Sequence, residues 1–328
     1  MSSLLSEQDV KVIAAAQHRA DADIQTIAKL TGLKITQVRY SLQKLIDRKV
    51  ITGRGVFADV YRLGYTYFTF AFSLHAEKQA DRDKAIRSLR QSPHIAFLAA
   101  VSGDHQYMGT ACLERVDELW GLFSKLSDEL GAFIHEKCFG AHLWFRAYGR
   151  RALTTKKIEC PIIQYGSRSS KPLELTDIDY RLLRLCSADS SLSLRDLSKT
   201  LRAPTTTIHR HLNRLKGERI IIGDVLRIDL SQRGMTQYKL LLFARGMSDA
   251  FARNLAAFCD RDAVVLRCIG CIGAWDYEID IEVASADELP LFQQRLFAAM
   301  GTELNSVRSL QIIKHLGFSA FPIPISTR

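Results

Sequence analysis

The sequence predicts an α+β chain in which two winged-type helix-turn-helix units alternate with two ferredoxin-like βαββαβ units. Two observations carry this reading. A register of 170 residues relates the halves: "LSEQDV" (Leu5 to Val10) stands opposite "LTDIDY" (Leu175 to Tyr180), Leu42 and Leu45 match Leu212 and Leu215, and Gly53 and Gly64 match Gly223 and Gly234. Within each half, helical periodicity comes first and strand alternation second. A constant register over so many elements means duplication of a whole unit, and a period this long excludes a solenoid.

Taken in order, Ser6 caps a first helix with Val10, Ile13 and Ala14 inward. Asp21 or Asp23 caps a second, with Ile24, Ile27, Ala28 and Leu30 inward and Gly32 closing it. The third helix has Ile35, Val38, Leu42 and Leu45 on one stripe, and "VITGRGVFADV" reads as a β-ribbon. In the second half Thr176 and Ser193 are caps, Pro204 suits the first turn of the third helix, and Ile208, Leu212 and Leu215 form its stripe. Next come "YFTFAFSLH" as a strand, "ADRDKAIRSLRQS" as an amphipathic helix, and "HIAFLAAVS" and "YMGTACLE" as a strand pair. "VDELWGLFSKLSDEL" is a second helix and "AFIHEKCFGAHLWF" a last strand; the second half repeats this order from "YKLLLFARG" to "SLQIIKHLGF". An antiparallel sheet with helices on one face leaves the other face bare, and the two copies can cover each other.

The expected domains are 1–60 (helix-turn-helix), 61–153 (sheet domain), 154–173 (connector), 174–231 (helix-turn-helix) and 232–328 (sheet domain). The connector lacks periodicity, carries Gly, Ser and Pro, and is basic through "KK" at 156–157 and "SRSSK" at 167–171. Seven cysteines without a dense pattern, charges early in the chain and no long apolar run predict a cytoplasmic protein that does not enter a membrane.

A net charge of +10 suits a polyanionic partner. Residues 1–55 alone hold nine Lys/Arg against five Asp/Glu, or +4. The third helices point hydrogen-bonding groups away from their stripes: Thr36, Gln37, Arg39, Tyr40, Gln43 and Lys44 in the first copy, and Thr206, Thr207, His209, Arg210, Asn213 and Arg214 in the second. Such side chains reach base edges and phosphates, and acids, which would repel phosphate, are missing from these faces. Any surface helix also points polar residues outward, so the repetition of the pattern is what favours duplex DNA as the partner.

Two similar turns join strands in the two sheet domains, "GDHQY" (Gly103 to Tyr107) and "GAWDY" (Gly273 to Tyr277). Asp276 either shapes the hairpin by bonding nearby amides or faces a ligand ammonium, with Trp275 walling the pocket. "CIGC" (Cys268 to Cys271) has zinc-like spacing but lies in a strand, where residues three apart point to opposite faces. His105, His135 and His142 read as surface or turn residues. No phosphate-binding glycine loop or nucleophile elbow occurs, so no cofactor, no metal and no enzyme activity are expected.

The unit "DIQTIAKLTGLKITQVRYSLQKLIDRKVITGRGVFADVYRLGY" resembles the DNA-binding part of the leucine-responsive/asparagine-regulator (Lrp/AsnC) transcription factors, and "VLRCIGCIGAWDYEIDIEV" resembles the glycine–aspartate–tyrosine turn of their effector (RAM-type) domain. The resemblance implies a DNA-binding regulator whose sheet domains pair, form homo-oligomers and sense a small molecule, often an amino acid. Gly273, Trp275, Asp276, Tyr277, Gly103 and Asp104 would then form effector sites. Family members are usually single modules, so the fused chain would be a covalent pseudo-dimer. Gln106 stands where the first turn would carry the acid, which makes the second half the expected sensor. The rival reading is an enzyme resembling the siroheme decarboxylases, which are also fused two-copy proteins. Those resemble one another in an Asn-Tyr/Arg-His run and an Asn-x-Trp-Phe strand, and neither "SGDHQYMGTACL" nor "IGAWDYEIDIEV" supplies that His/Arg cluster.

Overall fold

The computed structural model describes residues 5–75, 78–130, 134–154, 158–166, 173–231 and 234–323. The basic connector runs at 156–157 and 167–171 lie outside the described residues.

The first helical unit comprises α1 (Glu7–Ala16), α2 (Ile24–Thr31) and α3 (Ile35–Asp47), followed by strand β1 (Ile51–Ala58). Ser6 and Asp23 cap the first two helices, and Gly32 ends α2 at a φ of 68° that disfavours other residues. Val38 and Leu45 are buried as the stripe requires, but Ile35, the first residue of α3, is 42% exposed at the helix end.

The first sheet domain is β2 (Thr66–Leu74), α4 (Gln79–Gln91), β3 (Ile95–Ser102), β4 (Tyr107–Leu113), α5 (Asp117–Leu130) and β5 (Ile134–Ala147). A short β6 (Ile163–Gly166) in the connector, not expected from its composition, pairs with β5 and stacks Tyr165 on Phe145 at 4.8 Å. The second half repeats the plan with α6 (Asp177–Ala188), α7 (Leu194–Leu201), α8 (Thr205–Gly217), β7 (Ile221–Ile228), β8 (Thr236–Ala244), α9 (Asp249–Arg261), β9 (Val265–Gly273), β10 (Tyr277–Val283), α10 (Glu288–Met300) and β11 (Leu304–Phe318).

Two features follow from the duplication. First, β1 does not fold back as a wing on its own helices. It pairs antiparallel with β7 of the other copy, Ile51 opposite Ile228 and Ala58 opposite Ile221, so each copy completes the other's ribbon. Second, the two sheets do more than cover each other. Edge strand β3 pairs with β11, and edge strand β9 pairs with β5, so β2-β4-β3-β11-β8-β10-β9-β5 closes on itself through the β2–β5 pairing. The result is an eight-stranded antiparallel barrel without open edges, and eight strands enclose an interior that side chains alone can fill.

Strand alternation sorts the residues between the two faces. Phe68, Phe70, Phe72 and Leu74 of β2 point outward against Leu89, Phe123 and Leu126 of α4 and α5. Leu240 and Leu242 of β8 do the same against Phe251, Leu255 and Phe292 of α9 and α10. The interior receives Ala71, Ala99, Val101, Met108, Leu241, Ile269, Cys271 and Leu310.

Candidate functional site

In both helical units a capping box begins the first helix: Asp9 bonds the Ser6 N–H and hydroxyl, and Asp179 does so with Thr176. Each of these acids is almost fully buried and reaches the third helix. Asp9 accepts from Ser41 (2.8 Å) and Lys44 (2.6 Å), and Asp179 meets His211 (2.7 Å) and Arg214 (2.5 Å), the same positions 170 residues on. Burial works against the Asp9 carboxylate, but the bonds from Lys44, Ser6 and Ser41 outweigh it and hold its pKa below the usual range. The same holds for Asp179, against burial, through Thr176 and His211.

Lys44 and Arg214 were expected to face DNA. Lys44, half-buried, ties the third helix to the first, and Arg214 bonds the equivalent acid while 41% of its side chain stays exposed, since a buried acid needs a partner. The rest of the outward set stays on the surface. Thr36, Gln37, Arg39, Tyr40 and Gln43 on α3, and Thr206, His209, Arg210 and Asn213 on α8, are exposed, Tyr40 to 67%, and Thr207 is half-buried. Gln43 donates to Asp47, while Arg39 and Arg210 have no partner among the described residues.

The two turns hold matching backbone amides. Asp276 Oδ2 accepts the Ala244 N–H at 2.8 Å, and Gln106 Oε1 accepts the Leu74 N–H at 3.2 Å. Leu74 and Ala244 are themselves 170 residues apart, so Asp and Gln hold the same amide at the end of the same strand. Gly103 and Gly273 have φ of 139° and 142° at the seam between the copies. A Cβ on Gly273 would lie 2.4 Å from the Phe139 carbonyl oxygen, and one on Gly103 would lie 2.7 Å from Leu310. These glycines let the barrel close. Trp275 is fully buried and lies flat against Gly140, while Tyr277 packs between Trp144 and Phe251 in the core. Asp104 is on the surface, 3.6 Å from Arg308. Asp276 and Gln106 thus share one structural task, each holding the amide at the end of the same strand.

The barrel interior holds a polar cluster that the sequence did not reveal. Glu278 is fully buried. Its Oε2 lies 2.6 Å from Lys239 Nζ, and its Oε1 accepts from the Trp275 indole (3.0 Å) and lies 3.5 Å from both Cys271 Sγ and His142 Nε2. His142, expected on the surface or in a turn, is buried with its Nε2 2.6 Å from Thr69 Oγ1. Lys239 also meets Asp280 (2.7 Å), which Arg267 bonds at 3.0 Å. Burial opposes the charge on Glu278, but Lys239 and His142 push its pKa far below the carboxylate range; Lys239 is raised, against burial, by Asp280 and Glu278. His142, Cys271 and Glu278 place ligand atoms within 4.8 Å of one another, yet the Lys239 ammonium already neutralises the Glu278 carboxylate. Cys268 faces the helices and Cys271 the interior, as strand alternation requires. The signal for this cluster was present as Lys239 within the apolar run "YKLLL" and acids at alternate positions of "YEIDIE", but it appears only when β5 of the other copy brings His142 to them.

A second polar group lies beside it. Arg150 bonds Glu282 through two nitrogens (2.7 and 3.2 Å), Gln237 donates to Glu282 (2.7 Å), and His315 lies 3.2 Å from Gln237. His18 Nδ1 donates to the Pro161 carbonyl (2.7 Å); burial, helped by Arg267 and Arg150, lowers its pKa to about 4.

No family model matches the chain. The chain is similar to the DNA-binding transcriptional activator DecR of Escherichia coli K12, at 29% identity over 124 residues, covering 37% of this chain and 81% of that protein. An uncharacterized HTH-type transcriptional regulator of Pyrococcus furiosus is 24% identical over 144 residues, covering 43% of this chain and 95% of that one. These matches have the length of one module. The crystal structure of the siroheme decarboxylase NirDL aligns over 96% of both chains at a TM-score of 0.62 and 10% identity, so the two share the tandem fold. That match corrects one expectation. No enzyme activity was expected, with an enzyme only as the rival reading, but a protein named as an enzyme has this architecture throughout its length. Among the described residues no helix is long and apolar enough to cross a membrane.

Proposed function

We propose that the protein is a transcription regulator that binds duplex DNA as a covalent pseudo-dimer. The observation that carries this is the pair of exposed polar faces on α3 and α8, the second free of acids and the first carrying only Asp47, which Gln43 bonds, each held by a buried acid that fixes the third helix against the first. The relatives of module length are named as transcription regulators, which supports the same reading. The two faces differ: Arg39, Tyr40 and Gln43 stand where the second copy has His209, Arg210 and Asn213. A homodimer reads two identical half-sites, whereas this chain would read two different ones, because each side-chain set matches different base edges. Selection from a random duplex pool at moderate salt should yield a non-palindromic site with unlike halves. Arg39→Gln and Arg210→Gln should each relax one half only. A pool that shows no sequence enrichment removes this reading.

The whole-length match favours a second reading, an enzyme acting on a siroheme-type tetrapyrrole, more than it favours the first. The His/Arg groups that the turns lack are supplied elsewhere, by Arg150, Arg267, His18 and His315 near the ends of β5, β9 and β11. Arg150 and Arg267 could meet the carboxylates of such a substrate, with His18 and His315, whose protonation burial opposes, beside them as neutral hydrogen-bonding groups. Incubation with siroheme, followed by mass spectrometry, tests it. Loss of carbon dioxide from the substrate supports the enzyme, and an unchanged substrate mass with an unchanged absorbance spectrum removes it.

A further inference from the structure

A groove of about 540 Å³ lies where three parts of the molecule meet: the end of α4 and start of β3, the end of α6 with strand β7, and the chain after β11. Arg90, Arg184 and Arg227 line it, together with Ser187, Phe318 and Phe321. None of the three arginines has a carboxylate partner within bonding distance among the described residues. Arg90 and Arg184 are exposed, and Arg227 donates to the Ser187 and Ala188 carbonyls at the end of α6 (3.2 and 2.7 Å). Three like charges around one groove repel one another unless an anion joins them. Ser187 is 1% exposed, and its buried hydroxyl has no hydrogen-bond partner, a rare condition in a folded protein. Phe318 offers a ring that is 64% exposed at the groove, beside the buried Phe321.

The duplication supplies a control within the same molecule. In the pseudo-equivalent place of the other half, Gln17 stands for Ser187 and Asp260 for Arg90. There the chain satisfies itself. Gln17 accepts the Arg150 N–H at 2.7 Å, and the Arg151 guanidinium donates to the carbonyls of Asp260, Cys259 and Asp262. Position 321 is the equivalent of Arg151, and it is an apolar Phe. One half is closed by an internal cation on carbonyl oxygens; in the other Arg227 also bonds carbonyls, but Arg90 and Arg184 face an open space and the buried Ser187 hydroxyl in its wall is unsatisfied.

We propose that this groove binds a small phosphate-bearing organic anion, with its charge on Arg90, Arg184 and Arg227, an oxygen on the Ser187 hydroxyl, and a flat apolar body against Phe318 and Phe321. Guanidinium forks suit phosphate oxygens, and the Phe318 ring provides the stacking surface. The site depends neither on DNA binding nor on tetrapyrrole chemistry. Because its residues come from a sheet domain, a helical unit and the shared ribbon, occupancy would also tie the second helical unit to the barrel.

Calorimetric titration of the full chain with pyrophosphate, AMP and adenosine tests it. AMP and pyrophosphate should bind, and adenosine should bind at least tenfold more weakly than AMP. The Arg90→Gln/Arg184→Gln double variant should lose tenfold or more in AMP affinity while keeping its melting temperature, since both side chains are exposed. Ser187→Ala should lose affinity as well, and Arg253→Gln, exposed on α9, should match the wild type. The proposal is overturned if neither anion binds. It is also overturned if the double variant binds as the wild type does, or if Arg39→Gln/Arg210→Gln abolishes AMP binding instead, which would place the anion on the DNA-facing helices.

Discussion

The two sheet domains share a backbone plan and differ in what they turn toward the barrel axis. In the second copy the inward positions of β8, β9 and β10 include Gln237, Lys239, Arg267, Cys271, Glu278, Asp280 and Glu282. At the equivalent positions the first copy has Tyr67, Thr69, Phe97, Val101, Met108, Thr110 and Cys112. Half of the interior is ionic and half is neutral. In a homodimer with this fold the two halves would be identical, and a buried carboxylate could face only copies of the groups already in its own half. Fusion lifts that restriction. Here β5 of the neutral copy lends His142 to the ionic one, and Thr69, the counterpart of Lys239, bonds that histidine. The two unlike halves form a one-sided cluster in which the groups facing Glu278 differ from those in its own half.

The largest expected effect breaks this contrast at Lys239. Lys239→Met leaves the Glu278 charge buried without its ammonium, and losing one partner of a buried pair costs about 3–5 kcal/mol. Denaturant unfolding of the purified variants measures it. The double variant Lys239→Met/Glu278→Leu should recover much of the loss, because it removes the stranded charge. In the neutral half, Met108→Leu at the position equivalent to Glu278 should cost less than about 1.5 kcal/mol, as a volume-conserving change does. Similar costs for Lys239→Met and Met108→Leu would show that the ionic half is not held by this pair.

A second contrast concerns pH. His18 ends the first helix region where the other copy has Ala188. Its pKa is lowered to about 4, first by burial and then by Arg267 and Arg150, so the folded state holds the ring neutral where the unfolded chain protonates near 6.5. A depressed folded value means that the contribution is complete above about pH 6.5 and is lost as pH falls toward 4, a total of ~3 kcal/mol. Stability measured by urea unfolding should fall over that window. In His18→Ala, which copies the second half, the slope should shrink by about one proton. An unchanged slope would assign the acid sensitivity to other groups.

The helical units and the strand order were legible because they rest on local rules. Caps at Ser6, Asp23 and Ser193, the left-handed Gly32 and strand alternation depend on residues a few positions apart. What the sequence hid depends on distant partners. Lys44 reads as an outward cation until Asp9, 35 residues away, is found beneath it. The ribbon reads as a wing because nothing local says that β1 pairs with β7. His142 reads as a surface residue until closure of the barrel carries it to Glu278.

The smallest expected effect concerns the turn where the halves look most different. Asp276 and Gln106 each accept one backbone N–H with a side-chain oxygen, and an amide oxygen accepts as a carboxylate does. Asp276→Asn should therefore change stability by less than about 1 kcal/mol, whereas Asp276→Ala should cost about 1–3 kcal/mol by leaving the Ala244 amide without its acceptor. Gln106→Ala should show the same loss at Leu74. If Asp276→Asn proved as damaging as Asp276→Ala while Gln106→Ala was silent, the carboxylate charge itself would matter, and the turn would again distinguish the two halves by function. Equal behaviour of the two alanine variants leaves the distinction where the side chains put it, inside the barrel.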